Sequence, residues 1–330
     1  MTYQAYFVEE AETGVTASWV SKEDTDLPEG DVLIEVAYSS VNYKDALSAN
    51  GNRGVTREYP HTPGIDAAGR VISSSVDQFS AGDEVVVFGY DLGMNTAGGF
   101  GQKIRVPASW VLKKPSGLTL AETMSWGTAG FTAALSVQKL ERAGIVPEKG
   151  PVLVTGATGG VGSVAVALLS KLGFSVVAVS GKAEQTEWLK SLGAAEVVSR
   201  DTVLALKGKA MAKPLYQAAV DTVGGDMVSA IIPQLQPEGA ITTCGMIAGV
   251  KFEASVFPFI LRGVSLLGVD SVEIPRADKQ SVLDKAAGPW KLEGLEAMTT
   301  EVGQSGLADV LAKVLNGQGT GRYRVNLNKD

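Results

Sequence analysis

A glycine-rich turn between an apolar run and a helical segment is the part of this sequence best suited to bind a ligand. Residues 152–162 read Val-Leu-Val-Thr-Gly-Ala-Thr-Gly-Gly-Val-Gly, helical composition continues to Gly173, and a second apolar run covers residues 175–179. This order is typical of a βαβ unit, in which turn glycines let the backbone approach a pyrophosphate and the helix N-terminus meets its charge. The sequence therefore predicts a dinucleotide site. The residues predicted to line the pyrophosphate are Thr158, Gly159, Gly160 and Val161.

The turn departs from the strict G-x-G-x-x-G pattern. Ala157 stands where the first glycine is expected, and only Gly159 and Gly162 match. The alternative is an ordinary strand-to-helix corner tightened by glycines. The flanking strand, helix and second strand favour nucleotide binding, because all three lie where the pattern requires them.

The end of the second strand indicates which dinucleotide binds. NAD sites usually place an acid about 20 residues after the glycines, on the ribose 2′-hydroxyl. Here the segment reads Ser180-Gly181-Lys182, with no acid before Glu184. A hydroxyl and an ammonium would bind a 2′-phosphate that a carboxylate would repel, so NADPH is favoured. The alternative is that Lys182 is a solvated surface lysine.

Composition excludes several classes of function. The 330 residues are 45% hydrophobic and 20% charged, with a net charge of −7, which argues against binding to nucleic acid or to anionic membranes. No signal-peptide pattern and no long uncharged apolar run is present, so a cytoplasmic protein acting on a small molecule is expected. The chain holds one Cys, Cys244, and one His, His61, so a Cys/His zinc site is not expected.

The elements around the turn predict an α/β fold with two domains. Residues 1–122 contain short β-type runs between Gly, Pro and Asp turns. Residues 123–270 begin with helices that divide at Gly127 and continue with alternating strands and helices, six strands in all, as in a doubly wound sheet. Residues 271–330 add two helical stretches and a final strand at 322–327.

Several motifs resemble a known family. Residues 40–47 (Ser-Val-Asn-Tyr-Lys-Asp-Ala-Leu), 63–69 and 82–85, followed by the glycine turn, resemble the zinc-independent medium-chain dehydrogenases/reductases. More narrowly, residues 42–47, 177–182 and 199–201 resemble the quinone-oxidoreductase-like acryloyl-CoA reductases. The resemblance implies a GroES-like catalytic domain from residues 1–122 and 271–330, a Rossmann domain at 123–270, and often a homodimer.

The resemblance also implies the reduction of an activated alkene, for which residues 42–45 are the candidate catalytic segment. Tyr43 would position the nicotinamide or the substrate and donate the proton. The alternative proton donor is water. Asn42 would polarise the carbonyl and Asp45 would orient its neighbours. The alternative for Asn42 and Asp45 is a helix N-terminus with Asn42 as its cap.

Four further positions are predicted to contact the cofactor. Arg200 resembles a family position near the adenosine phosphate, Met246 lies where a strand end would meet the nicotinamide, and Leu267 is predicted to touch the cofactor. Arg322 would reach the cofactor or an acyl-CoA phosphate. The alternatives are a surface role for both arginines and a core or subunit-interface role for Leu267. Cys244 is expected to be a small buried residue rather than a nucleophile.

These observations favour an NADPH-dependent reductase of short 2-enoyl-CoA thioesters, acryloyl-CoA above all. One alternative is a quinone or enone reductase, since those substrates also accept hydride at an electron-poor carbon. The other alternative is a protein that binds NADPH without catalysing a reaction.

Overall fold

A computed structural model describes residues 2–330, which divide into two compact units. Unit 1 contains the chain up to residue 128 together with residues 271–289 and 295–330, and unit 2 contains residues 129–270 and 290–294. The boundary thus lies a few residues beyond the predicted one at residue 122. The first part of unit 1 contains β1 (Thr2–Glu10), β2 (Val15–Glu23), β3 (Val32–Ser40), α1 (Tyr43–Ala49), β4 (Asp66–Ser74), β5 (Glu84–Phe88), β6 (Lys103–Val106) and β7 (Val111–Lys113).

One long helix and the alternating elements of unit 2 follow. They are α2 (Leu120–Arg142), β8 (Val152–Val154), α3 (Gly160–Lys171), β9 (Val176–Ser180), α4 (Thr186–Ser191), β10 (Ala194–Ser199), α5 (Arg200–Leu204), β11 (Tyr216–Asp221), α6 (Asp226–Ile231), β12 (Leu235–Thr243), α7 (Phe257–Arg262) and β13 (Ser265–Gly268). The chain then returns to unit 1 with α8 (Arg276–Ala287), β14 (Thr299–Val302), α9 (Leu307–Leu315) and β15 (Arg322–Asn326).

Among residues 2–330, unit 1 is built on a seven-stranded sheet that joins strands from residues 32–113 to strands from residues 299–326. Its order is β14-β15-β3-β4-β5-β7, and β6 also pairs with β3. β15 pairs antiparallel with β3, so the last strand lies beside the strand that leads into residues 42–45. Alternating apolar residues of β3, such as Val32, Ile34 and Val36, point into one buried core. The predicted β-rich domain is confirmed.

Unit 2 has the predicted doubly wound sheet. Its six strands run parallel in the order β10-β9-β8-β11-β12-β13, so the strand order reverses between β8 and β11. Every residue of β8, β9 and β11 is buried, because helices cover both faces of such a sheet. Ligands of these folds bind at the carboxyl ends of the strands, beside the point of reversal.

Several elements differ from the sequence-based expectation. The hairpin of β1 and β2 was not expected, and none of the residues of β2 is fully buried, so this strand has no buried face that an alternating pattern would mark. The strands β7 and β14 have only three and four residues. In α2 the backbone is non-helical at Gly127, where the sequence predicts the division between two helices. No helix among residues 2–330 is both long and apolar enough to cross a membrane.

Candidate functional site

The glycine turn of unit 2 has the backbone geometry expected of a phosphate loop. Gly156 follows β8 with φ of +56°, and a Cβ there would lie 2.4 Å from the Thr222 hydroxyl. A Cβ on Gly162 would lie 2.2 Å from the carbonyl oxygen of Gly156. These two contacts require glycine, whereas position 157, where the strict pattern has a glycine, holds the fully buried Ala157. Gly159 caps α3, so the turn presents the N-terminus of a twelve-residue helix to a ligand.

The structure brings Ser180, Gly181, Lys182 and Arg200 together at the carboxyl ends of β9 and β10. The Lys182 backbone N–H donates to Ser180 Oγ at 3.0 Å. A Cβ on Gly181 would lie 2.9 Å from Cζ of Arg200, so the guanidinium side chain lies across this glycine. Burial, together with the nearby Arg200 charge, lowers the pKa of Lys182. Two cations that approach each other in this way form a site suited to an anion.

In unit 1, residues 42–45 form the start of α1, as the capping alternative predicts. The Asn42 backbone N–H donates to Asp45 Oδ2 at 2.8 Å, and the Ile65 N–H donates to Asp45 Oδ1 at 2.8 Å. Asp45 is fully buried. Burial and, secondarily, the neighbouring Asp66 carboxylate raise the pKa of Asp45 to about 7. Tyr43, the first residue of the helix, is half-buried.

Asp66, which the sequence reading passed over, is the centre of a buried hydrogen-bonded cluster. Its Oδ2 accepts bonds from Asn42 Nδ2 at 2.8 Å, from the Thr128 N–H at 2.8 Å and from the Ser40 hydroxyl, and its Oδ1 accepts the Thr128 hydroxyl. An acid inside an apolar strand, in residues 63–69, was the available signal, because a buried carboxylate requires partners.

Arg322 belongs to the same cluster and is 1% exposed. Its Nε donates to the Ser125 carbonyl at 3.0 Å, and one terminal nitrogen donates to Ser40 Oγ at 3.1 Å. Burial lowers the pKa of Arg322 to about 10, against the opposing effect of Asp66 and Asp45. The alternative of a surface arginine is therefore wrong. The predicted contact of Arg322 with the cofactor or an acyl-CoA phosphate is not supported either, because in this arrangement the guanidinium donates to protein groups.

The orientation of the Asn42 amide restricts its chemistry. Nδ2 donates to Asp66 Oδ2 and lies 3.2 Å from both Ser40 Oγ and Asp45 Oδ2. Oδ1 is buried and faces the Asp45 backbone N–H in the capping box of α1, but it accepts no well-formed hydrogen bond among residues 2–330. The amide thus has an acceptor to offer, while its donors face carboxylates, and polarising a carbonyl would require a donor.

The remaining predicted residues lie in unit 2. Met246 is 56% exposed, and Leu267 is half-buried on β13. Cys244 donates its thiol to the Asp221 carbonyl at 3.5 Å, and burial followed by the Asp221 charge raises its pKa to about 12. The expectation of an inert cysteine agrees with this surrounding. Among the described residues no group of three His, Cys, Asp or Glu side chains could hold a metal ion.

Comparisons with known proteins match both units. The alcohol dehydrogenase GroES-like domain family matches residues 28–116, and the zinc-binding dehydrogenase family matches residues 160–287. The chain is 45% identical over 303 residues to Bacillus subtilis YhfP, which bears the name of a quinone oxidoreductase. It is 43% identical over 304 residues to the acrylyl-CoA reductase AcuI of Ruegeria pomeroyi. Each alignment covers 92% of this chain and 92% of the relative.

Solved structures give the same result. The YhdH oxidoreductase from Salmonella enterica in complex with NADP has a TM-score of 0.95 at 40% identity, over 98% of this chain and 99% of that chain. Bacillus subtilis YhfP with NAD bound has a TM-score of 0.96 at 43% identity, over 99% and 100%. The chain therefore belongs to the zinc-binding dehydrogenase family, the medium-chain dehydrogenases/reductases, as a quinone-oxidoreductase-like member.

Proposed function

We propose that this protein is an NADPH-dependent reductase of a short 2-enoyl-CoA, acryloyl-CoA being the first candidate. The observation that carries the cofactor assignment is the approach of Lys182 and Arg200 at the end of β9, where a 2′-phosphate would be held. The substrate assignment rests on the acrylyl-CoA reductase AcuI, which is 43% identical over nearly the whole chain. Together they support the reduction of acryloyl-CoA to propanoyl-CoA.

The reaction requires a hydride at the β-carbon, a pair of electrons accepted by the thioester oxygen and a proton at the α-carbon. NADPH supplies the hydride when bound. We assign Tyr43 to positioning and proton donation, with water as the alternative donor. Because the donors of Asn42 are engaged by carboxylates, we assign to Asn42 and Asp45 the role of fixing the start of α1, from which Tyr43 projects.

The family name implies zinc, and the residues of this chain do not fit it. Cys and His are the ligands on which catalytic zinc sites chiefly draw, and the single Cys244 and His61 belong to different units. His61 is buried, and burial lowers its pKa. We therefore propose a zinc-independent reaction and derive no step through a metal.

A quinone reductase is the second candidate, because YhfP, at 45% identity, bears that name. The test is steady-state NADPH oxidation by the purified protein with acryloyl-CoA, longer enoyl-CoAs, an enone and a benzoquinone. We expect the highest kcat/KM with acryloyl-CoA. A tenfold preference for the quinone would reverse the assignment. Tight NADPH binding without turnover of any of these acceptors would instead indicate a non-catalytic protein.

We also propose a homodimer formed through unit 2. Eight of the eleven exposed large hydrophobic side chains among the described residues lie between residues 246 and 261, in the segment that joins β12 to the edge strand β13. They are Met246, Ile247, Val250, Phe252, Val256, Phe257, Ile260 and Leu261. At on the order of 100 Å² each they would bury roughly 800 Å², the area that each partner contributes to a standard interface.

Light scattering after size exclusion tests the dimer. The variant Ile260→Glu with Leu261→Glu should be monomeric, because two charges would be buried in an apolar interface. Ile72→Glu, a change of an exposed side chain in unit 1, should leave the dimer intact. A wild-type protein that is monomeric at micromolar concentration would contradict this part of the proposal.

A further inference from the structure

Asp221 is a buried carboxylate at the point where the strand order of unit 2 reverses. It is the last residue of β11, and it is 0% exposed. β11 lies between β8 and β12, and the reversal falls between β8 and β11. In doubly wound sheets the dinucleotide crosses the sheet edge at this point.

The carboxylate ties the ends of three neighbouring strands together. Its Oδ1 accepts the hydroxyl of Thr155, which follows β8, at 2.8 Å. Its Oδ2 accepts the hydroxyl of Thr243, the last residue of β12, at 3.1 Å, and the N–H of Gly224 at 2.9 Å. The Val223 N–H donates to Oδ1 at 3.3 Å. A single side chain thus receives donors from the loops or ends of β8, β11 and β12.

A second set of bonds joins the two loops that flank the reversal. The Thr222 N–H donates to Thr155 Oγ1 at 2.9 Å, and the Thr222 hydroxyl donates to the Thr155 carbonyl at 2.8 Å. The Thr155 hydroxyl therefore accepts a hydrogen bond from the Thr222 N–H while it donates one to the Asp221 carboxylate. Thr155 directly precedes the glycine turn, so the position of the turn depends on these bonds.

Close backbone contacts make these loops sensitive to small displacements. A Cβ on Gly245 would lie 1.9 Å from the Thr222 carbonyl oxygen, and a Cβ on Gly224 would lie 2.5 Å from the Gly245 carbonyl oxygen. The loops after β11 and β12 are thus packed backbone against backbone. Because hydrogen bonds to Asp221 hold both the end of β12 and the loop after β11, losing them would loosen these two crevice walls together.

We infer that Asp221 is a positioning residue that fixes the crevice around the nicotinamide half of the cofactor. The inference rests on the proposed NADPH-dependent function. Ser180, Lys182 and Arg200 lie on the β8–β10 half of the sheet, which takes the adenosine half of a dinucleotide. The strands that Asp221 joins, β11 and β12, belong to the other half, which takes the nicotinamide.

The two halves of the cofactor provide a test that separates positioning from folding. Asp221→Ala removes the acceptors, and binding of NADPH and of 2′,5′-ADP is measured by calorimetry. 2′,5′-ADP carries the 2′-phosphate but no nicotinamide. We expect the Kd for NADPH to rise about tenfold or more, because a loosened crevice must be ordered on binding, while the Kd for 2′,5′-ADP changes less than twofold.

Gln217→Leu is the matched control, since Gln217 is buried at the opposite end of the same strand. This change should lower thermal stability and leave both Kd values unaltered. Should Asp221→Ala fail to fold, Thr243→Val removes one of the hydrogen bonds to Asp221. It should raise the Kd for NADPH about threefold and leave the Kd for 2′,5′-ADP unchanged. Thr243→Ser, which keeps the hydroxyl, should restore wild-type binding.

Equal weakening of NADPH and 2′,5′-ADP in the Asp221 and Thr243 variants would overturn the inference, and so would unchanged binding of both. A wild type that prefers NADH or reduces no enoyl-CoA would instead count against the proposed function. The Asp221 comparison would then be made with NADH and ADP, and the same split between dinucleotide and fragment would support the inference.

Discussion

Removing the Asp66 carboxylate should destabilise unit 1 more than any conservative change nearby. Asp66 is fully buried, accepts bonds from Ser40, Asn42 and Thr128, and faces the buried guanidinium of Arg322. Asp66→Ala would leave that guanidinium with Asp45 as its remaining buried acid and would leave several donors unsatisfied. Breaking a buried charge pair in this way costs about 3–5 kcal/mol.

Asp66→Asn separates charge from hydrogen bonding. An amide oxygen in the Oδ2 position would keep the three donors that now reach that atom, and the Thr128 hydroxyl would rotate to accept from the new NH₂ group. Only the charge would be lost, and the buried Arg322 and Asp45 would remain as a compensated pair. We expect a cost of about 1–3 kcal/mol, less than for the alanine variant.

Urea unfolding of the two variants, followed by tryptophan fluorescence and by hydrogen exchange in unit 1, measures these costs. Asp77→Ala, which alters an exposed acid in the same unit, is the control and should change stability by less than about 0.5 kcal/mol. If Asp66→Ala and Asp66→Asn both change the free energy of unfolding by less than that limit, the cluster contributes no stability and the reasoning is refuted. Equal large losses would mean that charge, rather than hydrogen bonding, dominates.

Three further predictions concern the cofactor, acidity and metal. Lys182→Ala should weaken NADPH binding by about 1–3 kcal/mol, or five- to 150-fold, and leave NADH binding nearly unchanged. Ser180→Asp should lower the preference for NADPH over NADH in the same way. If the ratio of kcat/KM for NADPH to that for NADH stays within twofold of wild type in both variants, Arg200 is the next candidate for the 2′-phosphate. The folded pKa of Asp45, about 7, lies above its unfolded value near 4, so the folded state binds more protons and stability should fall as pH rises from about 4 to about 7. Between pH 5 and pH 8 the free energy of unfolding of wild type, measured with urea, should fall by about 2–3 kcal/mol more than that of Asp45→Asn. Parallel pH profiles of the two proteins would contradict this. Exhaustive chelation should leave turnover of acryloyl-CoA unchanged, whereas activity lost to chelator and restored by zinc would show a metal site.

The dinucleotide unit was predictable because its signals are local. Strand, turn and helix follow one another within residues 152–173, and the glycines mark the positions where a Cβ would clash. The approach of Arg200 to Lys182 was harder to foresee. It follows from the parallel pairing of β9 with β10, which brings Ser180 and Ser199 to the same register and places the residues after them at one edge.

The cluster in unit 1 could not be read from local patterns. Ser40, Asp66, Thr128 and Arg322 come from four distant parts of the chain, and only tertiary pairing brings them together. The capping pattern at Asn42 and Asp45 was visible, but a helix cap is normally exposed and this one is buried. The positive charge that makes this burial possible is that of Arg322. It lies on the last strand, β15, far from Asn42 and Asp45 in the sequence.

The contribution of Arg322 gives the C-terminal strand β15 a structural role in unit 1. Without β15, Asp45 and Asp66 would be two neighbouring buried carboxylates with no cation, an arrangement whose desolvation would offset a large part of the stability of a domain. The pairing of β15 with β3 inserts Arg322 beside Ser40, and the guanidinium then offsets one of the two charges. A pKa near 7 allows Asp45 to carry a proton at neutral pH, which offsets the other. We therefore expect the start of α1, and with it Tyr43, to be ordered only when β15 is paired with β3.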